Sequence, residues 1–409
     1  MSLNPLISLA DRHLHQLCLE IPGRVLGSPD NHKASAYIRE QLERCGARVQ
    51  TQCFDCLDYR SGEIRLTAET GESFQAFISP YSNPCDLQAP LARATSSDEL
   101  RAGNFRANLL LLSGEIAREQ LMPRNFVFYN PDSHQEIHRL LAEQQPAAII
   151  TATGQNSELA GAPYPFPMIE DGDFDIPVAY MTDNEGLRLE KWIGQPLRLF
   201  MDAQRIPSWA ENVSASFGPS DPKRFVVCAH LDAKQGSPGA VDNAGGVVTL
   251  FILTKLLQDL PQPPPVELLF INGEDHYSAG GEMAYLKLHQ GKLDQIRLVI
   301  NNDGAGFHGY SDALSFYGTS PAVEACAKAL LEEFPTLGTG ESWPQSDHMV
   351  FAMNQVPAMA ITTVGFAEME KQVAHTAKDH PEIVETPQLV ETARFIRDLI
   401  LTLEKDRIC

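Results

Sequence analysis

The sequence predicts an α/β protein with a mainly parallel, mixed sheet, helices on both faces of that sheet, and a smaller inserted α+β domain. From residue 212 onward, the apolar runs "RFVVCAHLD", "VELLFING", "LVINND" and "VPAMAIT" alternate with helical stretches. Strands buried on both faces have such continuous apolar runs, and helices between them indicate crossovers between parallel strands. Between residues 61 and 204 the apolar runs are separated by Pro, Gly and acidic residues, which indicates a separate unit.

The length of the chain also favours two domains. Its 409 residues exceed the roughly 250 to 300 at which single cores usually stop growing. Residues 1–60 offer helix and strand patterns without a core of their own, so we expect them to join residues 205–409 in one discontinuous domain. Residues 61–204 would then be the insertion.

The first of these segments contains a predicted helix followed by a strand. The stretch "HKASAYIREQLERC" places four residues near one helical stripe, and Gly46 follows as a helix end: Ala36, Tyr37, Leu42 and Cys45. The next stretch, "ARVQTQCFD", has strand character. Because no second Cys/His pair lies near Cys53 and Cys56, we interpret them as strand residues and not as a zinc site.

Composition excludes several classes of partner. The 53 acidic against 32 basic residues give a net charge of -21, which disfavours nucleic acid and anionic membrane surfaces. The longest apolar stretches, such as "VVTLFILTKLL", fall short of the ~20 residues that span a bilayer. The eight scattered cysteines suit a reducing compartment, and the opening residues lack a signal-peptide pattern. We therefore expect a cytoplasmic protein.

Polar side chains capable of binding metal follow the strands of the predicted sheet, at the edge where such sheets bind ligands. They are His230, Asp232, Asp242, Glu274, Asp275, Asp303 and His375. Taken singly, each has a simpler explanation, such as a helix N-cap at Asp242 or a turn at Asp303. Together, their carboxylates would repel one another unless cations lay among them. The sequence therefore predicts a metal site at this edge.

Six motifs, in order, resemble the M28 family of zinc aminopeptidases and carboxypeptidases: "AHLDAKQGSPGAVDNAGG", "FINGED", "INNDGAG", "QSDHMVF", "VPAM" and "AHTAKD". The resemblance is strong over residues 212–385 and looser over residues 1–60, and it implies the zinc exopeptidase (phosphorylase/hydrolase-like) fold. Residues 61–204 resemble the protease-associated domain inserted in many such peptidases, through "ANLLLLSGE", "AEQQPAAIITA" and "IPVAYMTDNEGLRLEKW".

The resemblance implies two zinc ions per chain. His230 and Asp303 would hold one ion, Asp275 and His375 would hold the other, and Asp242 would bridge both. Many members of the family have Glu where this chain has Asp275, and the shorter Asp side chain predicts weaker binding of the second zinc ion.

The resemblance also implies roles around the metals. Glu274 would be the general base, and Asp232 would orient the imidazole of His230. Asp347 and His348 are expected to support the site or line the substrate cleft. Relatives often carry an aromatic residue at the position of Ala374, so the group that steadies the oxyanion is unassigned.

The function that follows from the resemblance is removal of the first residue of a peptide by a dizinc aminopeptidase. A free α-amine suits an acidic site, whereas the motifs contain no Lys or Arg that would receive a free α-carboxylate. Two alternatives are a glutaminyl cyclase, which has this fold with one zinc, and a non-catalytic binding protein. All five ligand positions and the base are filled, which favours the peptidase.

Overall fold

The computed structural model describes residues 3–154, 164–221 and 223–408. Within these residues the strands are β1 Arg48–Ala68, β2 Ser73–Phe74, β3 Phe77–Ile78, β4 Cys85–Ala94, β5 Leu109–Leu112, β6 Ala148–Thr153, β7 Val178–Thr182, β8 Pro196–Phe217, β9 Arg224–His230, β10 Val266–Ile271, β11 Ile296–Asn302, β12 Asp312–Tyr317, β13 Leu337–Thr339 and β14 Ala358–Thr363. The α-helices are α1 Leu3–His15, α2 Pro29–Arg44, α3 Ser97–Ala102, α4 Asp132–Gln144, α5 Asp183–Leu189, α6 Gly245–Gln258, α7 Gly280–Leu288, α8 Pro321–Leu330, α9 His348–Met353, α10 Phe366–Gln372 and α11 Thr386–Lys405.

The chain divides into two compact units. The first contains the described residues up to Cys56 and those from Trp209 onward, and the second is Leu57–Ser208. Strands β1 and β8 each continue from one unit into the other. The resemblance of the second unit to protease-associated domains stays a prediction.

The first unit is built on a mainly parallel sheet, as predicted. Its strand order is β13-β12-β14-β11-β9-β10-β8. The central strands β14, β11, β9 and β10 are parallel, whereas β12 and β8 pair antiparallel to their inner neighbours. Ile271 lies opposite His230, and Asn301 lies opposite Cys228. The carboxyl ends of β9, β10 and β11 are therefore level at one edge.

Helices cover both faces of this sheet. Helices α1, α2, α6 and α11 share one apolar core with Phe225, Val227 and Ala229 of β9. On the other face α9 contacts β11 and β14, and Phe351 of α9 packs on Tyr285 of α7 with ring centroids 5.5 Å apart. The α/β class predicted from the sequence is confirmed.

Helix α6 is apolar around its whole circumference. The stretch Ala240–Gln258 is long and apolar enough to cross a membrane, but 94% of its most apolar window is buried inside the structure. A helix in that setting is the core helix of a large domain. It packs between β9 and α11.

Helix α2 differs from its prediction in which face is buried. Ala34, Ile38 and Leu42 are buried, whereas Cys45 is exposed. The polar Asn31 also lies on the buried face, because its side chain donates hydrogen bonds to Asn272 Oδ1 (2.8 Å) and to a backbone carbonyl. Apolar periodicity does not count a buried polar residue, so it predicts a buried stripe about one position away from the face that the structure buries.

The second unit has its own sheet and its own apolar clusters. Its strand order is β8-β4-β5-β6-β7-β3, in which β4, β5, β6 and β7 are parallel. Helix α4 buries Ile137, Leu140 and Leu141 in one of the clusters. Cys53 and Cys56, which precede this unit, lie in strand β1 as predicted.

Candidate metal centre

The five expected metal ligands come together at the carboxyl edge of the first unit's sheet. His230 is the last residue of β9, and Asp303 directly follows β11. Asp275 lies in the loop between β10 and α7, and Asp242 lies in a kinked turn just before α6. His375 follows α10. Residues that are far apart in sequence meet here because parallel strands end at the same edge.

Asp242 lies between the two histidines. Its Oδ1 is 3.1 Å from His230 Nε2, and its Oδ2 is 3.1 Å from His375 Nε2. Asp303 Oδ1 is 3.5 Å from His230 Nε2, and Asp275 Oδ1 is 3.0 Å from His375 Nε2. We call His230, Asp242 and Asp303 the His230 group, and His375, Asp242 and Asp275 the His375 group. One carboxylate thus offers one oxygen to each group.

These residues fit a bound metal. Within each group the candidate ligand atoms lie within 4.8 Å of one another. Three buried atoms have no hydrogen-bond partner in the described part of the chain: both ring nitrogens of His230 and Oδ2 of Asp275. Buried polar atoms normally have partners. Imidazole nitrogens and carboxylate oxygens are zinc ligands in proteins, so ions would supply partners for Nε2 of His230 and Oδ2 of Asp275.

The pKa values of the two histidines also indicate that this centre favours positive charge. Burial lowers the pKa of His230, but the carboxylates of Asp303, Asp232 and Asp242 outweigh it and raise that pKa well above the ordinary value. Asp275 and Asp242 likewise raise the pKa of His375 against the effect of burial. A positively charged centre is therefore favoured beside these carboxylates.

The turn that carries Asp242 is held by hydrogen bonds from two other segments. The carboxylate of Asp379 accepts from the backbone amides of Val241 (2.7 Å) and Asp242 (3.1 Å). The side-chain amide of Asn243 donates a hydrogen bond to the backbone carbonyl of Asn302 (2.9 Å). The Asp242–Asn243 peptide bond is cis. Asp379 ends the "AHTAKD" motif, but sequence reasoning gave it no role.

The small residues of this turn allow the chain to come close to the ligands. A Cβ on Gly246 would lie 2.3 Å from the carbonyl oxygen of Asn302 and 2.4 Å from Oδ1 of Asn243. Gly239 has φ 60°, in the left-handed region that favours glycine. A side chain at Gly246 would push the turn away from β11.

Asp232 does more than its sequence interpretation assigned to it. Its Oδ1 lies 3.7 Å from His230 Nδ1, beside the imidazole. Its carboxylate also accepts hydrogen bonds from the backbone amides of Gly273 (2.7 Å), Glu274 (3.3 Å) and Asp275 (3.1 Å). Asp232 therefore fixes the loop that carries the expected base and a ligand of the His375 group.

His276 completes this arrangement and was missed by sequence reasoning. Its Nδ1 lies 2.8 Å from Asp232 Oδ2, and its Nε2 accepts from the amide of Leu26 at 3.2 Å. It is the residue after "FINGED", so adjacency to the motif was the available signal.

Glu274 lies half-buried beside the ligands. Burial raises its pKa well above the ordinary value; His230 opposes this rise, and Asp275, Asp303 and Asp347 add to it. A carboxyl group whose pKa is raised binds a proton more readily than an ordinary carboxylate, which suits a group that transfers protons.

Asp347 and His348 do not line an open cleft, which corrects the substrate-lining expectation. Both are fully buried. His348 Nε2 lies 3.0 Å from the carbonyl of Trp343, and its Nδ1 lies 3.4 Å from Asn301 Nδ2 on β11. The "SDH" stretch leads into α9, which packs against β11 and β14. This packing buries both side chains away from solvent. Their role in supporting the site stays a prediction.

Known proteins resemble this chain in sequence. The model of "Peptidase family M28" matches residues 212–400. Probable leucine aminopeptidase 2 of Aspergillus fumigatus is 24% identical over 355 residues, covering 83% of this chain and 68% of the relative. Carboxypeptidase Q of Homo sapiens is 25% identical over 176 residues, covering 41% of this chain and 36% of the relative.

Solved structures share the fold. A zinc aminopeptidase from Bacillus subtilis superposes with a TM-score of 0.75 at 19% identity, covering 98% of this chain and 95% of that one. An aminopeptidase from Aneurinibacillus sp. strain AM-1 gives 0.73 at 18% identity, covering 98% and 96%. The family model spans the turn, loops and strand ends that hold all five candidate ligands. Over residues 212–400, this chain is therefore similar to peptidase family M28.

Proposed function

We propose that this protein is an aminopeptidase that uses two zinc ions to hydrolyse the first peptide bond of a peptide. The observation that carries the proposal is the position of Asp242, which presents one carboxylate oxygen to each of two histidines. A single-metal centre would need only one of these contacts. The fungal leucine aminopeptidase relative supports the same reaction class.

The His230 and His375 groups would hold the ions, sharing Asp242. When bound, two zinc ions supply a water nucleophile of lowered pKa and polarise the carbonyl of the scissile bond. The chain contributes a fixed set of carboxylates and imidazoles, because Asp379 holds the Asp242 turn and Asp232 holds the Asp275 loop.

Glu274 acts as the general base. It takes a proton from the attacking water and passes it to the amine that leaves when the peptide bond breaks. Its backbone amide is tied to Asp232, which keeps the side chain beside the reacting atoms. Its raised pKa suits a group that must both accept and release a proton.

The charge around the site favours a substrate with a free amino terminus. Besides burial, the groups with the largest effects on the pKa of Glu274 are one histidine and three carboxylates, and none is Lys or Arg. A free α-carboxylate brought to such a site would be repelled, whereas a free ammonium group would be attracted. This supports an aminopeptidase over a carboxypeptidase.

A pair of peptides tests the proposal. The zinc-loaded protein is given one short peptide with a free amino terminus and the same peptide with an acetylated terminus, and products are identified by mass spectrometry. We expect stepwise loss of residues from the free amino terminus only. The matched control is Glu274→Gln, which keeps size and polarity and should lower turnover by roughly 10²-fold or more with zinc retained. Release from the carboxyl end, or equal cleavage of both peptides, would refute the proposal.

A further inference from the structure

Arg24 is a buried arginine that contacts two of the segments carrying candidate metal ligands. It lies between α1 and α2, far from every ligand in sequence, and it is 1% exposed. Arginine is almost never fully buried unless its charged group has partners. The partners of its guanidinium therefore indicate what this residue does.

The first of the two segments is residues 230–233, which we call the strand-end segment and which begins with His230. Nε of Arg24 donates a hydrogen bond to the backbone carbonyl of Leu231 at 2.8 Å. The backbone carbonyl of Arg24 accepts a hydrogen bond from the amide of Ala233 at 3.3 Å. The side chain and the backbone of Arg24 thus hold the strand-end segment at two points.

The second segment is residues 238–242, which we call the bridging turn because it ends in Asp242. Nη1 and Nη2 of Arg24 donate hydrogen bonds to the backbone carbonyls of Pro238 and Gly239, each at 2.8 Å. A Cβ on Gly239 would lie 2.7 Å from Nη2, so glycine allows the guanidinium to come this close. One planar side chain therefore ties the bridging turn to the strand-end segment.

This link bears on the spacing of two ligands. His230 lies on the strand-end segment and Asp242 on the bridging turn, and His230 Nε2 is 3.1 Å from Asp242 Oδ1. A guanidinium presents its donors in a fixed plane, whereas a lysine ammonium is a single point on a flexible stem. Metal–ligand distances tolerate changes of only about 0.2 Å. A small shift of the bridging turn would therefore weaken metal binding.

We propose that Arg24 is a positioning residue for the metal centre, which sets the spacing between His230 and the shared carboxylate of Asp242 without contacting metal or substrate. The inference rests on the proposed two-zinc function. Because Asp242 belongs to both the His230 group and the His375 group, loss of the link should weaken binding of both ions. A residue that only stabilised the fold would leave the zinc affinity of the folded protein unchanged.

Measuring metal binding and stability side by side tests this inference. The variant is Arg24→Lys, which keeps the positive charge but cannot reach the carbonyls of both segments at once. The matched control is Ile38→Ala, which leaves a cavity at a buried core residue of α2 and so lowers stability away from the ligands. For each protein we measure zinc affinity by competition with a chromogenic chelator, and Tm with zinc bound. The visible absorption spectrum with cobalt(II) in place of zinc reports the geometry of the ligands.

We expect Arg24→Lys to weaken zinc binding by about 10- to 100-fold, the loss typical when a residue that orients metal ligands is replaced, and to change the cobalt spectrum. Ile38→Ala should lower Tm and keep the zinc affinity and cobalt spectrum of the wild type. Wild-type affinity and spectrum in Arg24→Lys would refute the inference. An equal loss of affinity in Ile38→Ala would also refute it, because the loss would then follow stability alone.

A second variant keeps the test decisive if Arg24→Lys does not fold. Arg24→Gln removes the charge and retains one amide group, and the same loss of zinc affinity and the same change of the cobalt spectrum are expected. A wild-type protein that binds no zinc would refute the proposed function and this inference together. Unchanged affinity in the variants of a zinc-binding wild type would refute the inference alone.

Discussion

The two halves of the candidate centre are built differently. His230 is the last residue of a central strand, and its side chain is 0% exposed. His375 lies in a loop with φ 61°, a region that non-glycine residues rarely occupy, and its side chain is 22% exposed. The His230 group is therefore part of the sheet, whereas the His375 group depends on loops held by other side chains. From this difference we expect the His230 group to bind metal more tightly.

The largest effects should separate the shared ligand from the unshared one. Asp242→Ala removes an oxygen from both groups, so we expect it to lose both zinc ions and at least about 10³-fold in kcat/KM. His375→Ala leaves the His230 group complete and should keep about one ion. Elemental analysis of the purified variants decides this. Two zinc ions retained in Asp242→Ala would refute the bridging assignment. Loss of both ions in His375→Ala would contradict the expectation that the His230 group binds metal more tightly than the His375 group.

A smaller effect should come from the residue that links the halves. Asp232 lies beside His230 and accepts hydrogen bonds from the Asp275 loop. In Asp232→Asn one carboxylate oxygen becomes an amide NH2 group, which cannot accept the hydrogen bonds made to that oxygen, so the loop should loosen. We expect zinc affinity to fall by about 10- to 100-fold, measured by competition with a chromogenic chelator. Unchanged affinity would show that the halves are positioned independently.

The sequence predicted the strand-borne half of the site for a clear physical reason. The apolar runs before His230 and Asp303 identify central parallel strands, and the ends of such strands converge. The sequence could not reveal that Asp232 accepts hydrogen bonds from three backbone amides and contacts His276, because those contacts depend on the fold of the loop after β10.

Burial of polar residues was the other failure of sequence reasoning. Asp347 and His348 belong to a polar stretch that predicts either support of the site or a place in a solvent-facing cleft, and the packing of α9 buries them completely. The same applies to Asn31 on α2. Hydrophobic periodicity predicts which apolar residues face a core, but it does not predict which polar residues find partners inside one.

The smallest effect concerns a carboxyl group that belongs to neither half. Glu282 is 4% exposed, and burial raises its pKa to about 7, with Asp232 adding to the rise. A carboxyl group with a raised pKa in the folded state destabilises the protein as pH rises from about 4.5 through about 7. Glu282→Gln should therefore raise the free energy of unfolding by about 1–3 kcal/mol at pH 8 and flatten its pH dependence in that window.

Thermal unfolding of Glu282→Gln across this pH range, with zinc content measured in parallel, checks the prediction. Zinc content should stay that of the wild type. A variant that is less stable than the wild type at pH 8, or that loses zinc, would mean that Glu282 supports the centre directly.

Titration of zinc into the chelator-stripped protein tests the central claim most directly. Bound zinc is followed by competition with a chromogenic chelator, and hydrolysis of a peptide with a free amino terminus is followed at each step. We predict two ions per chain, bound in two steps of unequal affinity, with full activity only after the second step. Saturation of both binding and activity by one ion per chain would contradict the account.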